Sequence, residues 1–493
     1  MKIGFLGHNG FALGDMDNPV LVDPILLPKY GDEYNPSAVE IYPPRKINLD
    51  QLPNISAVII SHEHSDHFHL PTLNLLDRKV PIVVGPTMID SVIEYINKLG
   101  FRVRRLEFGK EEQFGSVLVT LYPPDPETVL WESRVSQIYV RDIEQPTEGG
   151  IYLCIDAILS PMFHDDVNSG KIPKPRVIAV SNNSQITPDG VFGSLDNMRD
   201  EFYSEGAVPK KGFVALDILH ELLVSSIENA PSLRGSNFLI CGGGFLKDYD
   251  EMGPFPYSEQ HNLAEIASKL TRFINVLGPL PGDILSLKDN LVMKTDNLSW
   301  LKLDQNLFQQ LITKREKFIK SKKSIPMKSV LFAPTYESEQ EALKIIESEL
   351  ALIAQSILLS SIGKELILLG QHKNLGSSRF LIQVLCSHSK DQSWELDISE
   401  GMFLPTNTLE FSKAIEKYPF GIVISAVDFA AVITGKLQIW DVAGVAMRSW
   451  YQGNLLLSPV ALFYNLYGEH TRPDIALDVY NKQIEKLLGK VMI

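Results

Sequence analysis

One stretch limits what this chain can be: Ser61-His62-Glu63-His64-Ser65-Asp66-His67-Phe68-His69. Four histidines and Asp66 fall within the eight positions from 62 to 69. The apolar run Ile55-Ser56-Ala57-Val58-Ile59-Ile60 before them reads as a strand, and Leu70-Pro71-Thr72-Leu73 after them reads as a helix start. Imidazoles this dense behind a buried strand need partners for their ring nitrogens, and apolar packing supplies none. A metal ion does. On an extended or tightly turned loop His62 and His64 point the same way and reach one ion, while Asp66 and His67 turn toward a neighbouring position. One short loop thus builds two adjacent sites, for one or two ions of zinc or iron. A solvated histidine-rich loop is the competing explanation, and the strand and helix framing the stretch weigh against it.

His-x-His-x-Asp-His behind an apolar strand resembles the signature of the metallo-β-lactamase fold superfamily. Gly7-His8-Asn9-Gly10-Phe11 and Leu21-Val22-Asp23-Pro24 are similar to its opening hairpin. The run from Ser61 to Leu76, with Val84-Gly85-Pro86-Thr87 on the next strand, is similar to the metallo-β-lactamase-like part of CMP-N-acetylneuraminate hydroxylases. The resemblance implies an α/β fold, an αββα sandwich, with a C-terminal helical and α+β extension. It implies that His62, His64, Asp66 and His67 are metal ligands and that Asp66 also has a catalytic role, holding or orienting an attacking water. Asp156, which ends the apolar strand Ile151-Tyr152-Leu153-Cys154-Ile155, matches the aspartate that bridges two metals in this family.

Two departures from the family pattern stand out. The family's third metal-binding histidine has no counterpart between His69 and His164. Glu132 stands where it is expected, with Glu127 as second choice, and a carboxylate there gives a set closer to iron(II) than to all-histidine zinc. The last strand of the fold often ends in a histidine for the second metal. Here Asn237-Phe238-Leu239-Ile240-Cys241 runs into Gly242-Gly243-Gly244-Phe245, which leaves His261, on the next helix start, as the best substitute ahead of His164 and His220. Gly243 and Gly244 are candidates for close backbone approach to a substrate, against the alternative of a tight turn.

The chain has 493 residues, 44% hydrophobic and 22% charged, enough for two domains. Sixty acidic against 46 basic residues give a net charge of −14, so polyanions are repelled and nucleic acid is disfavoured as a substrate. The three cysteines, Cys154, Cys241 and Cys386, form neither Cys-x-x-Cys nor Cys-x-His pairs. A disulfide scaffold is excluded, as is the Rieske module that the resembled hydroxylases carry. No apolar stretch approaches the ~20 residues needed to span a bilayer. Met1-Lys2-Ile3-Gly4-Phe5-Leu6 reads as a strand and not as a secretion signal, so the expected location is cytoplasmic. The sequence leaves a homo-oligomer open.

Along the chain, strands with Gly, Asn, Asp and Pro turns lead to the metal loop, and helices are expected over 70–79 and 86–99. Ile138-Tyr139-Val140 and Ile151 to Asp156 read as a hairpin. Helical segments are expected around 191–203 and 214–228. Near 285 the pattern changes to long helices, so domains of 1–285 and 286–493 are expected. Lys314 to Lys323 reads as a solvated basic face. Further strands are expected at Leu366-Ile367-Leu368-Leu369, 379–385 and 421–425. The segment from Phe429 to Trp440 is similar to the sterol-carrier-like modules appended to some enzymes of this fold.

The first expectation for function is a metal-dependent hydrolase of a small molecule, using a metal-activated water. A diiron oxygenase on the same fold is the alternative. A degenerate fold that keeps its metal loop only for structure, acting as a binding protein, is the third.

Overall fold

The computed structural model describes residues 1–29, 40–128, 132–182, 193–194, 233–242, 244–246, 260–270, 275–288, 291–321, 329–330, 333–372, 379–442, 446–452, 457–468, 481–482 and 484–489. Its core is built by strands whose two faces both carry apolar residues, so each sheet is covered on both sides. The first sheet has eight strands, in the order Leu291–Asn297, Asp283–Lys288, Lys2–Gly7, Gly10–Gly14, Val20–Val22, Ala57–Ile60, Ile82–Val84 and Val103–Arg105. The second has seven: Val276–Leu277, Asn237–Gly242, Val177–Asn182, Ile151–Leu153, Gln137–Asp142, Val117–Tyr122 and Glu111–Phe114.

Alternation along each strand sorts the residues into layers. Phe5, Phe11, Val22 and Ile59 of the first sheet pack against Val119, Leu121, Ile138, Leu153 and Leu239 of the second, forming the central layer. Their neighbours Leu6, Ala12, Val58 and Ile60 face outward onto Val92, Tyr95 and Ile96 of the helix Asp90–Lys98. On the far side Tyr122, Tyr139 and Tyr152 cover Phe163 of the helix Pro161–Asn168, with the Tyr152 and Phe163 rings stacked 3.7 Å apart. The result is helix, sheet, sheet, helix, the expected αββα sandwich.

A third sheet of six strands follows, in the order Gly193–Ser194, Met447–Tyr451, Phe420–Ser425, Phe380–Leu385, Gln392–Asp397 and Met402–Thr406. Helix Tyr336–Leu359, opened by a capping box between Thr335 and Ser338, lays Ala342, Ile346, Ile353 and Ile357 on it. This unit does not begin where the sequence pattern changes. Asp283–Lys288 pairs with Lys2–Gly7 in the first sheet, and Leu301–Leu303 pairs with Arg45–Ile47, so the sandwich runs past residue 286 and a division there cuts through a strand.

Other expectations also shift. Leu366 to Leu369 lies in the helix Ser361–His372, where Ile362 and Leu366 are buried one turn apart while Ile367 and Leu368 are exposed. Four apolar residues in a row fit a strand or a buried helix face equally, and the neighbouring sheet took the helix. The helix expected over 70–79 shortens to Leu70–Leu73, and that over 86–99 to Asp90–Lys98. The expected hairpin of Gln137–Asp142 and Ile151–Leu153 is present, and its register places Tyr139 opposite Tyr152. The helical segments expected around 191–203 and 214–228 lie, apart from Gly193–Ser194, outside the described residues. No single helix among the described residues is long and apolar enough to cross a membrane.

Candidate metal centre

The strand Ala57–Ile60 delivers the histidine loop to the end of the first sheet, beside the ends of Gly10–Gly14 and Val20–Val22. A turn closed by His67 N and Phe68 N, both donating to the His64 carbonyl at 2.9 and 2.7 Å, folds the loop back on itself. Asp23, fully buried, fixes it. Its carboxylate accepts from Ser61 N at 2.8 Å and Ser61 Oγ at 2.6 Å, and pairs with His67 Nδ1 at 2.8 Å. Ser61 Oγ lies 2.9 Å from His62 Nδ1. With their Nδ1 atoms engaged behind the loop, His62 and His67 aim Nε2 forward, the outer-shell arrangement that orients metal-binding imidazoles.

Three groups of possible ligand atoms converge there, the atoms of each within 4.8 Å of one another: His62, His64 and Glu132; His62, His67 and Asp156; His8, Asp66 and His67. Glu132 Oε2 is 3.4 Å from His62 Nε2 and 3.6 Å from His64 Nδ1. Asp156 Oδ2 is 2.8 Å from His67 Nε2, and Asp66 Oδ2 is 2.9 Å from His8 Nε2. His67 and His62 each belong to two groups, so the three form one continuous patch with Asp156 in the middle.

Its electrostatics are those of an anionic pocket. Burial disfavours charge on His67, yet Asp66, Asp156 and Asp23 together hold it protonated well above the usual histidine range. Against the same burial, His67 and His8 keep Asp66 well below the carboxylate range, and His67 does so for Asp156. His62 and His64 are pushed down by burial and by neighbouring imidazoles, so both are neutral. Burial, with Asp156 nearby, raises Glu132 well above its ordinary value. His62 Nε2, His64 Nε2 and Glu132 Oε2 are buried and make no hydrogen bond.

Unmatched buried donors and acceptors of this kind are costly. A divalent cation among them would accept both imidazole lone pairs and charge the Glu132 carboxylate, so these residues fit a metal. The first position would be held by His62, His64 and Glu132. The second would be held by Asp66, His67 and His8, with Asp156 between the two.

Of the other residues singled out in the sequence, Glu127 is exposed and only its backbone N–H engages Asp125. His261 belongs to none of the three groups, and its ring sits 6.3 Å from Phe308. His164 lies on the helix Pro161–Asn168, also outside them. Gly244 is in the strand Gly244–Leu246, paired with Tyr42. Gly243 and His220 lie outside the described residues.

Sequence reasoning missed His8, Asn9 and Asp23. The backbone explains what His8 does: its carbonyl accepts from Gly242 N at 2.9 Å, at the strand end where the family's histidine is missing. Asn9 Nδ2 donates to Asp156 Oδ1 at 2.9 Å and to Ser181 Oγ at 3.2 Å, steadying the central aspartate. Among the described residues, His8, Asp23 and Ile155 are the three non-glycine residues with positive φ, at 52°, 41° and 55°. Such backbone persists only where its surroundings enforce it, and all three flank the patch. The available signal was His8-Asn9-Gly10 itself, two polar residues and a glycine between apolar strands.

Residues 2–135 match the family model of the beta-lactamase superfamily domain. No curated protein matches the chain. Among solved structures, the chain is similar to the isothiocyanate hydrolase from Delia radicum gut bacteria at 14% identity, with a TM-score of 0.37, over 58% of this chain and 99% of that one. A possible metal-dependent hydrolase from Veillonella parvula aligns at 14% identity and TM-score 0.36, again over 58% and 99%. CmlA, a diiron beta-hydroxylase from Streptomyces venezuelae, aligns at 20% identity and TM-score 0.28, over 38% of this chain and 35% of that one. Residues 2–135 of this chain thus match the beta-lactamase superfamily domain, and the two packed sheets they enter carry the metallo-β-lactamase fold.

Proposed function

We propose that this protein is a metal-dependent hydrolase acting on a small molecule. The observation that carries the reading is the pair of neutral imidazoles, His62 and His64, that share a buried, unsatisfied Glu132 beside the Asp66, His67 and Asp156 cluster. A bound divalent metal supplies a water whose pKa is lowered toward ~7 and an electrophile for the substrate oxygen.

The chain's own residues do the rest. Asp66, anionic and with its side chain 23% exposed, is the acidic group of the cluster open to solvent, and it holds and orients the attacking water. His8 fixes the direction of the Asp66 carboxylate. Asp156, held by Asn9, lies between the two groups of candidate ligands and would contribute to holding a metal at either. The net charge of −14 argues for a substrate that is not a polyanion.

One observation favours a second reading. Two imidazoles and a carboxylate at the first position resemble the facial set that suits iron(II), which supports oxygenase chemistry at the same residues. Metal analysis of protein expressed without added metal separates the two. Zinc together with anaerobic turnover of ester, lactone or amide probes supports the hydrolase. Two irons per chain, a visible absorption band and oxygen uptake support the oxygenase and contradict hydrolysis. Absence of any metal contradicts both.

A further inference from the structure

In the sequence, Glu63 stands between the two histidines of the first position, and it is 1% exposed. Its Oε1 takes the whole contact, accepting from Arg134 Nε and lying beside Arg134 Nη2, while its Oε2 is buried without a hydrogen bond. Arg134 is two residues past Glu132. One guanidinium is thus tied by the chain to the carboxylate of the first position and by an ion pair to the loop that carries its two imidazoles. The backbone supports the same junction: Ser136 N donates to the Ser61 carbonyl at 3.0 Å, and Thr87 Oγ1 donates to the Arg134 carbonyl at 2.8 Å.

The third partner comes from far along the chain. Arg134 Nη2 donates to Tyr464 Oη at 3.2 Å, across 330 positions. Tyr464 is on the helix Pro459–Tyr467, N-capped by Ser458, whose Val460 and Phe463 are buried on the six-stranded sheet. That helix is firmly seated, since Phe463 meets Phe429 edge to face at 5.3 Å. The C-terminal unit is itself joined to the sandwich elsewhere. Ile484 is buried with Leu70, Leu73 and Trp300, and Gly193–Ser194 pairs with Trp450 and Tyr451.

We propose that Arg134 and Tyr464 are positioning residues for the metal centre, so that the C-terminal domain holds the metal loop in its binding geometry through Tyr464, Arg134 and Glu63. This rests on the metal-dependent reading above. A guanidinium that loses its hydroxyl partner on one side still pairs with Glu63, but its plane is no longer fixed, and neither is the spacing of His62 and His64 from Glu132. Outer contacts of this type are worth ~10–100-fold in metal affinity.

The test compares zinc affinity, measured by chelator competition, in the full chain and in Tyr464→Phe, Arg134→Gln and the double variant, with thermal melting of each metal-free protein. Arg134→Gln is expected to weaken zinc binding by ~10–100-fold and Tyr464→Phe by several-fold, the latter without a change in metal-free melting. The double variant is expected to be no weaker than Arg134→Gln alone, because the hydroxyl acts through the guanidinium. Unchanged zinc affinity in Tyr464→Phe, or losses that add independently, overturns the proposal while leaving the metal centre standing. A wild-type chain that binds no zinc and no iron overturns the metal-dependent reading and this proposal with it. If Arg134→Gln does not fold, Tyr464→Phe alone decides.

Discussion

His67 shows how a single residue is assigned its work here. Its Nδ1 is taken by Asp23 and its Nε2 faces Asp156, so the ring can turn neither way. Ligation needs that ring neutral and Glu132 charged, whereas the metal-free protein holds His67 protonated and Glu132 raised. Both groups must then give up protons when a cation enters, and affinity falls as pH drops. Calorimetry in buffers of different ionisation enthalpy is expected to show net proton release near pH 7; proton uptake would contradict the assignment. His64→Ala is expected to lose at least one ion per chain by elemental analysis, with unchanged stoichiometry counting against His64 as a ligand. The convergence of His62, His64, Asp66 and His67 was legible because a short loop writes these candidate ligands side by side in the sequence. Asp156 and Glu132 were legible through the family's spacing. His8 and Asp23 were not, because their roles depend on strand ends brought together from 58 and 38 positions away.

At the scale of elements, strands with two apolar faces announced themselves and ambiguous runs did not. The hairpin from Gln137 to Leu153 could be read from its two apolar runs, but its register, which places Tyr139 opposite Tyr152, is set by the strand pairing. Leu366 to Leu369 could not be assigned, since only the position of the neighbouring sheet decides between helix and strand. Gly150, at the start of the inner hairpin strand, offers a test of how closely these elements approach. A Cβ there would lie 1.7 Å from the Val140 carbonyl oxygen, so backbone has to move. Gly150→Ala is expected to destabilise the fold by ~1–3 kcal/mol in urea unfolding, as overpacking does. An unchanged midpoint would show that the two strands lie farther apart than a 1.7 Å Cβ approach requires.

For the whole molecule, the expected division at 285/286 falls inside the strand Asp283–Lys288 for a topological reason. The chain returns to the first sheet with Asp283–Lys288 and Leu291–Asn297 before the long helix Gln305–Ser321 begins, and no local pattern records a long-range return. The same property puts Tyr464 beside Arg134 and ties both domains to one site. The central claim is that this site grips a cation between His62, His64 and Glu132. The most direct measurement is anomalous scattering at the zinc and iron absorption edges from crystals of the protein grown with each metal. A peak is expected within bonding distance of His62 Nε2, His64 and Glu132, with any second peak beside Asp66 and His67. Crystals soaked to saturation that show no anomalous peak at these side chains would contradict it.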